Sequence, residues 1–311
     1  EYNLDGLTYN SSASIGVTLF NSENLSKEDL LKQADMAMYK AKYAGRNGVQ
    51  FFDPQMQVAV SSRAAIISDL YSAIQSQQFV LFYQKQVNHL KQCIGVEVLL
   101  RWIHPEKGMV SPLQFIPLAE ETGLIVPIGE WVLEEACATL AKWSLESEKQ
   151  HLSIAVNISV VQFSKDNFVQ TVLNALKTSG ANPQLLKLEI TETLLANNIP
   201  DVKAKMKELQ QHGVTFSIDD FGTGYSSLSY LKQLPINQLK IDQGFVRDII
   251  NSSNDRAIAQ AVITLADSME LQVIAEGVET EAQRALLQSM GCHTYQGYLY
   301  GKPCRIEELH F

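Results

Sequence analysis

The sequence predicts an α/β chain dominated by a (β/α)8 TIM-like barrel with one antiparallel strand, preceded by a short N-terminal strand-helix segment. Three observations carry this. Between residues 80 and 298 eight short β-like runs recur, stretches of helical period fall between most of them, and polar residues stand at or near the ends of several runs. With 46% hydrophobic and 19% charged residues in a chain of 311, the composition is that of a folded protein able to bury a large core.

In chain order, Ser14 to Phe20 read as a strand. Ser26-x-x-Asp29 then offers a helix cap before Leu30, Leu31, Ala34, Ala37, Met38 and Ala41 at helical spacing, and Gly45 supplies the stop. One strand and one helix bury too little surface to stand alone, so this segment is expected to dock on a neighbour, to be domain-swapped or to be mobile. Residues 54–62 read as a linker, with a helix entered at Ala64. The β-like runs are Val80–Val87, Cys93–Trp102, Leu152–Ile158, Leu185–Ile190, Val214–Ile218, Gln238–Ile241, Gln272–Ala275 and Thr294–Tyr298. Helical patterns cover Leu113–Glu121, Gly129–Ser144, Phe163–Ser179, Ala204–His212, Arg256–Met269 and Glu281–Met290. No helix separates the first two runs, so they are expected to form a hairpin that puts one antiparallel strand in the barrel. An open doubly wound sheet is the structural alternative, without a G-x-G-x-x-G loop to support it.

The formal net charge of −9 argues against a nucleic-acid polymer as partner, whose electrostatic footprint is basic. Cys93, Cys137, Cys292 and Cys304 form no C-x-x-C pair and match no zinc template, which points to reduced thiols and a cytoplasmic location. No signal peptide or membrane span is visible, though a full-length protein anchored outside these residues is compatible with that. His89, His104, His151, His212, His293 and His310 show no ligand spacing and are read as structural, and Met36 and Met38 as packing in the N-terminal segment.

The chemistry is expected where Glu97, Asn157, Glu189, Asp219 with Asp220, Lys240, Glu276 and Gln296 end successive strands, because a barrel would bring them to one mouth. Each has a plainer role available, as a cap or a solvated strand end; their joint arrival at one end of the barrel favours a site. Carboxylates crowded there repel one another unless cations neutralise them or some take up protons. Oxygen donors without His or Cys select a hard ion, Mg²⁺ or Mn²⁺, and the Asp219-Asp220 pair is placed to bridge two of them for an in-line displacement at phosphorus. The loop that follows, Phe221-Gly222-Thr223-Gly224-Tyr225-Ser226-Ser227, has two glycines and is expected to be a lid sensing the metal site.

Two resemblances emerge from these residues. Ile15-Gly16-Val17, Ala34 to Lys42 and Gly45-Arg46-Asn47 resemble the C-terminal end of the GGDEF, or diguanylate cyclase, domain over residues 1–53, without that family's signature loop, metal carboxylates or nucleotide site. The expectation is that no cyclic di-GMP is made from GTP. Residues from about 63 to 304 resemble the EAL domain, the phosphodiesterase of the bacterial messenger cyclic di-GMP, which sets the domain at 63–311. The motifs are Glu97 to Trp102, Ser111-Pro112 through Glu120, Asn157-Ile158-Ser159, Leu188 to Glu192, Asp219 to Ser227, Lys240-Ile241-Asp242, Ala275 to Thr280 and Gln296-Gly297-Tyr298.

The EAL resemblance implies that Glu97, Asn157, Glu189 and Asp219 ligate one metal and that Asp219, Asp220 and Glu276 serve a second. It implies that Lys240 holds the attacking water or a metal-bound oxygen, that Glu276 or a nearby carboxylate helps deprotonate that water, and that Arg101, Gln84 and Gln296 meet the substrate. Glu192 would anchor the glycine-containing loop and Glu279 would support the mouth. The product would be linear pGpG and the assembly a homodimer, with Ca²⁺ non-productive. Two departures stand out: Val98 replaces the signature alanine, and Lys85 stands where proline is usual. Val98 is expected to point away from Glu97, and Lys85 to alter the substrate rim. The rival is a catalytically silent cyclic di-GMP receptor; the complete ligand set favours the enzyme.

Overall fold

The computed structural model describes residues 2–4, 7–9, 11–20, 25–196, 198–222 and 231–311. The chain forms two compact units, Glu1–Tyr71 and Ser72–Phe311.

In the first unit, β1 (Tyr2–Leu4) and β2 (Leu7–Tyr9) pair antiparallel, and β3 (Ile15–Val17) pairs parallel with β4 (Val49–Phe51) across α1 (Lys27–Tyr43). The start of α1 is set by a full capping box: Ser26 Oγ accepts from Asp29 N–H at 3.1 Å and the Asp29 carboxylate accepts from Ser26 N–H at 3.3 Å. Acidic Glu28 and Asp29 in the first turn and Lys40 and Lys42 in the last suit the helix dipole. A side chain at Gly16 would come within 1.9 Å of Ala34 O, so only glycine lets α1 lie this close to β3. The strand is shorter than the expected 14–20, and β4 escapes sequence reading because it is three residues long and largely exposed.

The expected linker is helical. α2 spans Pro54–Gln75, ten residues ahead of the expected start at Ala64, with Pro54 in its first turn and Asp53 Oδ1 accepting from Gln55 N–H at 2.9 Å. A cap followed by proline begins a helix as readily as it marks a linker.

The second unit is the barrel. Its strands are β5 (Phe79–Asn88), β6 (Cys93–His104), β8 (Ser153–Ile158), β9 (Leu186–Thr191), β10 (Thr215–Phe221), β11 (Gln238–Ile241), β12 (Gln272–Ala275) and β13 (Thr294–Gln296). Each pairs with the next and β13 returns to β5, closing the ring. β5 runs antiparallel to both neighbours, β6 and β13, as the hairpin expectation requires, and the other junctions are parallel. The short β7 (Gly108–Val110), not foreseen, extends the β6 edge.

Helices α3 (Pro112–Thr122), α4 (Ile125–Trp143), α5 (Val160–Phe163), α6 (Phe168–Ser179), α7 (Ile199–Gln211), α8 (Gln243–Arg247), α9 (Ser253–Ser268) and α10 (Glu281–Ser289) fill the connections. The single helix expected over 163–179 is broken into α5 and α6, with Ser159 capping the first by accepting from Gln162 N–H at 3.0 Å. Strand alternation divides the wall. Leu186, Leu188, Ile190, Phe216, Ile218, Leu239 and Ile241 are buried on one face, each worth about 1.5–3 kcal/mol, while Glu189, Ser217, Gln238 and Lys240 line the other.

All four cysteines are free. Burial pushes the Cys137 and Cys292 thiols up to about 12, so neither forms thiolate near neutrality. Native protein titrated with a disulfide-exchange reagent at pH 8 is therefore expected to react only at Cys93 and Cys304, and at all four after denaturation; prompt native modification of Cys137 or Cys292 would contradict the packing.

Candidate functional site

Six barrel strands, and the residue after a seventh, deliver the predicted residues to one mouth. Glu97 sits on β6, Asn157 on β8, Glu189 on β9, Asp219 and Asp220 on β10, Lys240 on β11 and Gln296 on β13, while Glu276 follows β12 with its N–H bonded to Ile241 O at 3.1 Å. Strict alternation would send Asp219 and Asp220 to opposite faces. The β10–β11 register shifts between Ile218 and Phe221, and Asp220 takes φ 55°. This irregularity re-aims the second aspartate, a left-handed conformation that aspartate tolerates better than most residues.

At the centre lies the Lys240 ammonium, fully buried. Its Nζ is 2.5 Å from Glu276 Oε1, 2.6 Å from Glu189 Oε2, 3.2 Å from Asp219 Oδ1 and 3.7 Å from Glu97 Oε2. Burial alone would pull its pKa down; the four carboxylates outweigh that and hold it well above the usual lysine value. The acids feel the same crowding. Burial, reinforced by Glu97 and Asp219, raises Glu189 to about 8 despite Lys240, and burial pushes Glu276 well above its ordinary range. Asp220 rises to about 6, through burial and then Asp219 and Asp242. The Lys240 ammonium offsets part of the repulsion expected from the sequence, and the raised carboxyl pKa values favour proton uptake in the same cluster.

Neutral amides fix Glu97. Asn157 Nδ2 donates to its Oε1 at 2.6 Å and Gln296 Nε2 to its Oε2 at 2.5 Å. Gln84 Oε1 accepts from Gln296 Nε2 at 3.0 Å while Gln84 Nε2 donates to Gly301 O at 3.1 Å. Glu192 Oε2 accepts from Gly222 N–H at 3.3 Å, a link to the start of the glycine-containing loop. The expected lid residues Thr223 to Ser227 lie outside the described residues.

A cleft of about 360 Å³ opens over this mouth, walled by Glu97, Arg101, Glu276, Glu279, Gln84 and Gln296 among others. The Arg101 guanidinium is half-buried, bonded to Leu100 O at 2.9 Å and 5.5 Å from the centre of the Phe82 ring. Glu279 N–H donates to Gln283 Oε1 at 2.9 Å, tying the rim to α10. Val98 is buried on the side away from Glu97, as alternation requires. Lys85 departs from expectation: it is not on the cleft wall but on the outer face of β5, where its Cε would stand 3.4 Å from a Cβ at Gly301. Sequence reading missed Gln86, two residues along the same inward face as Gln84, and Gln243, which lines the cleft from the start of α8. His104 serves a turn, its Nδ1 accepting from the N–H groups of Glu106 and Lys107, both at 3.1 Å.

Among the described residues, no three His, Cys, Asp or Glu side chains are grouped closely enough to hold a metal ion as they stand. The donor chemistry nonetheless fits a hard cation. All donors are oxygens, and Glu189 Oε1 and Glu276 Oε1 are among the buried side-chain atoms without a hydrogen-bond partner, whereas buried polar atoms in folded proteins are as a rule paired. The Asn157 amide presents its nitrogen to Glu97 and would need a half turn to offer its oxygen.

Comparison with known proteins agrees with this geometry. The profile of the EAL domain matches residues 67–303, and that of the diguanylate cyclase GGDEF domain matches residues 1–48. The chain is 45% identical over 299 residues to the bifunctional diguanylate cyclase/cyclic di-GMP phosphodiesterase MucR of Pseudomonas aeruginosa, covering 96% of this chain and 44% of the relative. It is 39% identical to the cyclic di-GMP phosphodiesterase NbdA of the same organism, covering 98% and 39%. It thus spans less than half the length of these relatives. The solved structure of the PaMucR phosphodiesterase in complex with c-di-GMP superposes with a TM-score of 0.76 at 46% identity, covering 79% of this chain and 100% of that one. With its closed barrel, its acidic mouth and a profile match across most of its length, the chain belongs to the EAL domain family.

Proposed function

We propose that the barrel hydrolyses cyclic di-GMP to linear pGpG in a reaction dependent on two Mg²⁺ or Mn²⁺ ions. The observation that carries this is the ring of four acidic side chains within 4 Å of buried Lys240, with Asp220 next in the chain to one of them, an arrangement too costly for a purely structural core. Glu97, Asn157, Glu189 and Asp219 would hold one ion, and Asp219, Asp220 and Glu276 the second. When bound, the ions supply positive charge to the phosphodiester and lower the pKa of water.

The chain's own residues do the rest. Lys240, anchored by its carboxylates, orients the attacking water through its ammonium, and Glu276 takes up the proton that water loses. Arg101 offers a permanent charge of suitable shape to a phosphate oxygen, with Gln84 and Gln296 as further substrate contacts. Glu192 holds the loop after Asp220 through Gly222, and Glu279 shapes the rim. In this reading residues 1–53 are the end of a GGDEF-like domain, 54–62 its connection and 63–311 the phosphodiesterase domain, acting as a cytoplasmic homodimer. Among the described residues no helix is long and apolar enough to cross a membrane.

Calcium separates this reading from the silent-receptor alternative. Ca²⁺ takes oxygen ligands at longer, looser distances than Mg²⁺. Calorimetric titration with cyclic di-GMP in Ca²⁺ is expected to show binding without breakdown, and exchange into Mg²⁺ or Mn²⁺ to start hydrolysis. Ligand that stays intact in all three ions would favour the receptor, and a Ca²⁺ rate equal to the Mg²⁺ rate would contradict the two-metal geometry.

A further inference from the structure

We infer that Gln86 is a positioning residue that sets the direction of a buried amide chain and so keeps a hydrogen-bond donor turned toward Glu97. The inference rests on the reading of Glu97 as a metal ligand and deepens it. Gln86 is 1% exposed and stands directly opposite Gln296 where antiparallel β5 closes on β13. Its Nε2 donates to Gln296 Oε1 at 3.0 Å; Gln296 Nε2 in turn donates to Glu97 Oε2 and to Gln84 Oε1.

A primary amide has a donor end and an acceptor end, and turning it over exchanges them. Were Gln296 reversed, its oxygen would face the Glu97 carboxylate and Gln84 Oε1, and its NH2 would face the Gln86 NH2. Four buried polar groups would then meet like against like, at the cost of losing every bond in the chain. Gln86 blocks that reversal from the side opposite the carboxylate. The consequence reaches the ligand: Gln296 holds one Glu97 oxygen with a neutral donor, which orients the carboxylate without neutralising its charge and persists when the Asn157 amide turns its own oxygen toward a metal.

The test is a double-mutant cycle on Mn²⁺ affinity, measured by calorimetry on the full chain without substrate. Gln296→Met should weaken binding by roughly tenfold, the lower end expected when a partner of a metal ligand is removed. Gln86→Met should weaken it several-fold, and the double variant should bind no more weakly than Gln296→Met alone, because Gln86 acts only through Gln296. Gln86→Glu, which cannot donate when ionised, should bind at least as weakly as Gln86→Met and covers the case in which the Met variant does not fold. Wild-type affinity in a folded Gln86 variant, or losses that multiply in the double variant, would overturn the inference alone. Absence of Mn²⁺ binding by the wild-type chain would overturn it together with the metal reading.

Discussion

Glu97→Ala is expected to lower hydrolysis of cyclic di-GMP by about 10³-fold or more while leaving the barrel folded. The carboxylate is one of four around Lys240 and is held by two amide donors, so its loss removes charge and geometry from the proposed metal site at once. Metal stabilisation of a developing phosphoryl charge is worth several kcal/mol, and each 1.4 kcal/mol is about tenfold in rate. Folding should survive because the substitution also removes a negative charge from a crowded mouth, and exposed Asn157 can bond to water instead. Single-turnover rates at saturating Mg²⁺, with thermal melting as the control for fold, check this. Turnover within tenfold of wild type would remove Glu97 from the machinery.

Lys240→Met is expected to cost both activity and stability. Its ammonium is the only side-chain cation in contact with Glu97, Glu189, Asp219 and Glu276 among the described residues, and it is fully buried. Removing one partner from such a buried cluster typically costs about 3–5 kcal/mol, which in a unit of this size lowers Tm on the order of 10 °C. The sign with pH follows from the acids. Glu189 is raised to about 8 already, and without Lys240 the native state holds its protons more tightly still. A carboxyl whose folded pKa lies above its unfolded value stabilises the fold at low pH and loses that contribution as pH rises through the folded pKa. The deficit of Lys240→Met relative to wild type should therefore shrink between pH 8 and pH 5. Melting curves across that range check it; a deficit that widens toward acid would show that the cluster is not what Lys240 stabilises.

Most of the barrel is legible in the sequence because each buried strand is a short apolar run bounded by polar residues at a mouth. The antiparallel start is legible because no helix fits between Val87 and Cys93. What escapes has physical reasons. β4 and β7 are three-residue strands with little burial, and α2 hides behind a proline and a serine pair that read as linker. The re-aiming of Asp220 depends on a register shift between strands, a property of the pairing rather than of either strand alone. The position of Lys240 within the acidic ring, and the amide chain from Gln86 to Glu97, arise from residues 21 to 210 positions apart meeting in space.

The most direct test of the phosphodiesterase proposal is product analysis of a single turnover, with enzyme in excess over cyclic di-GMP. In Mn²⁺ or Mg²⁺ the cyclic dinucleotide should convert quantitatively to linear pGpG, and excess chelator should stop the conversion. Intact cyclic di-GMP in the presence of either ion, or undiminished conversion in chelator, would contradict a metal-dependent phosphodiesterase at this barrel mouth.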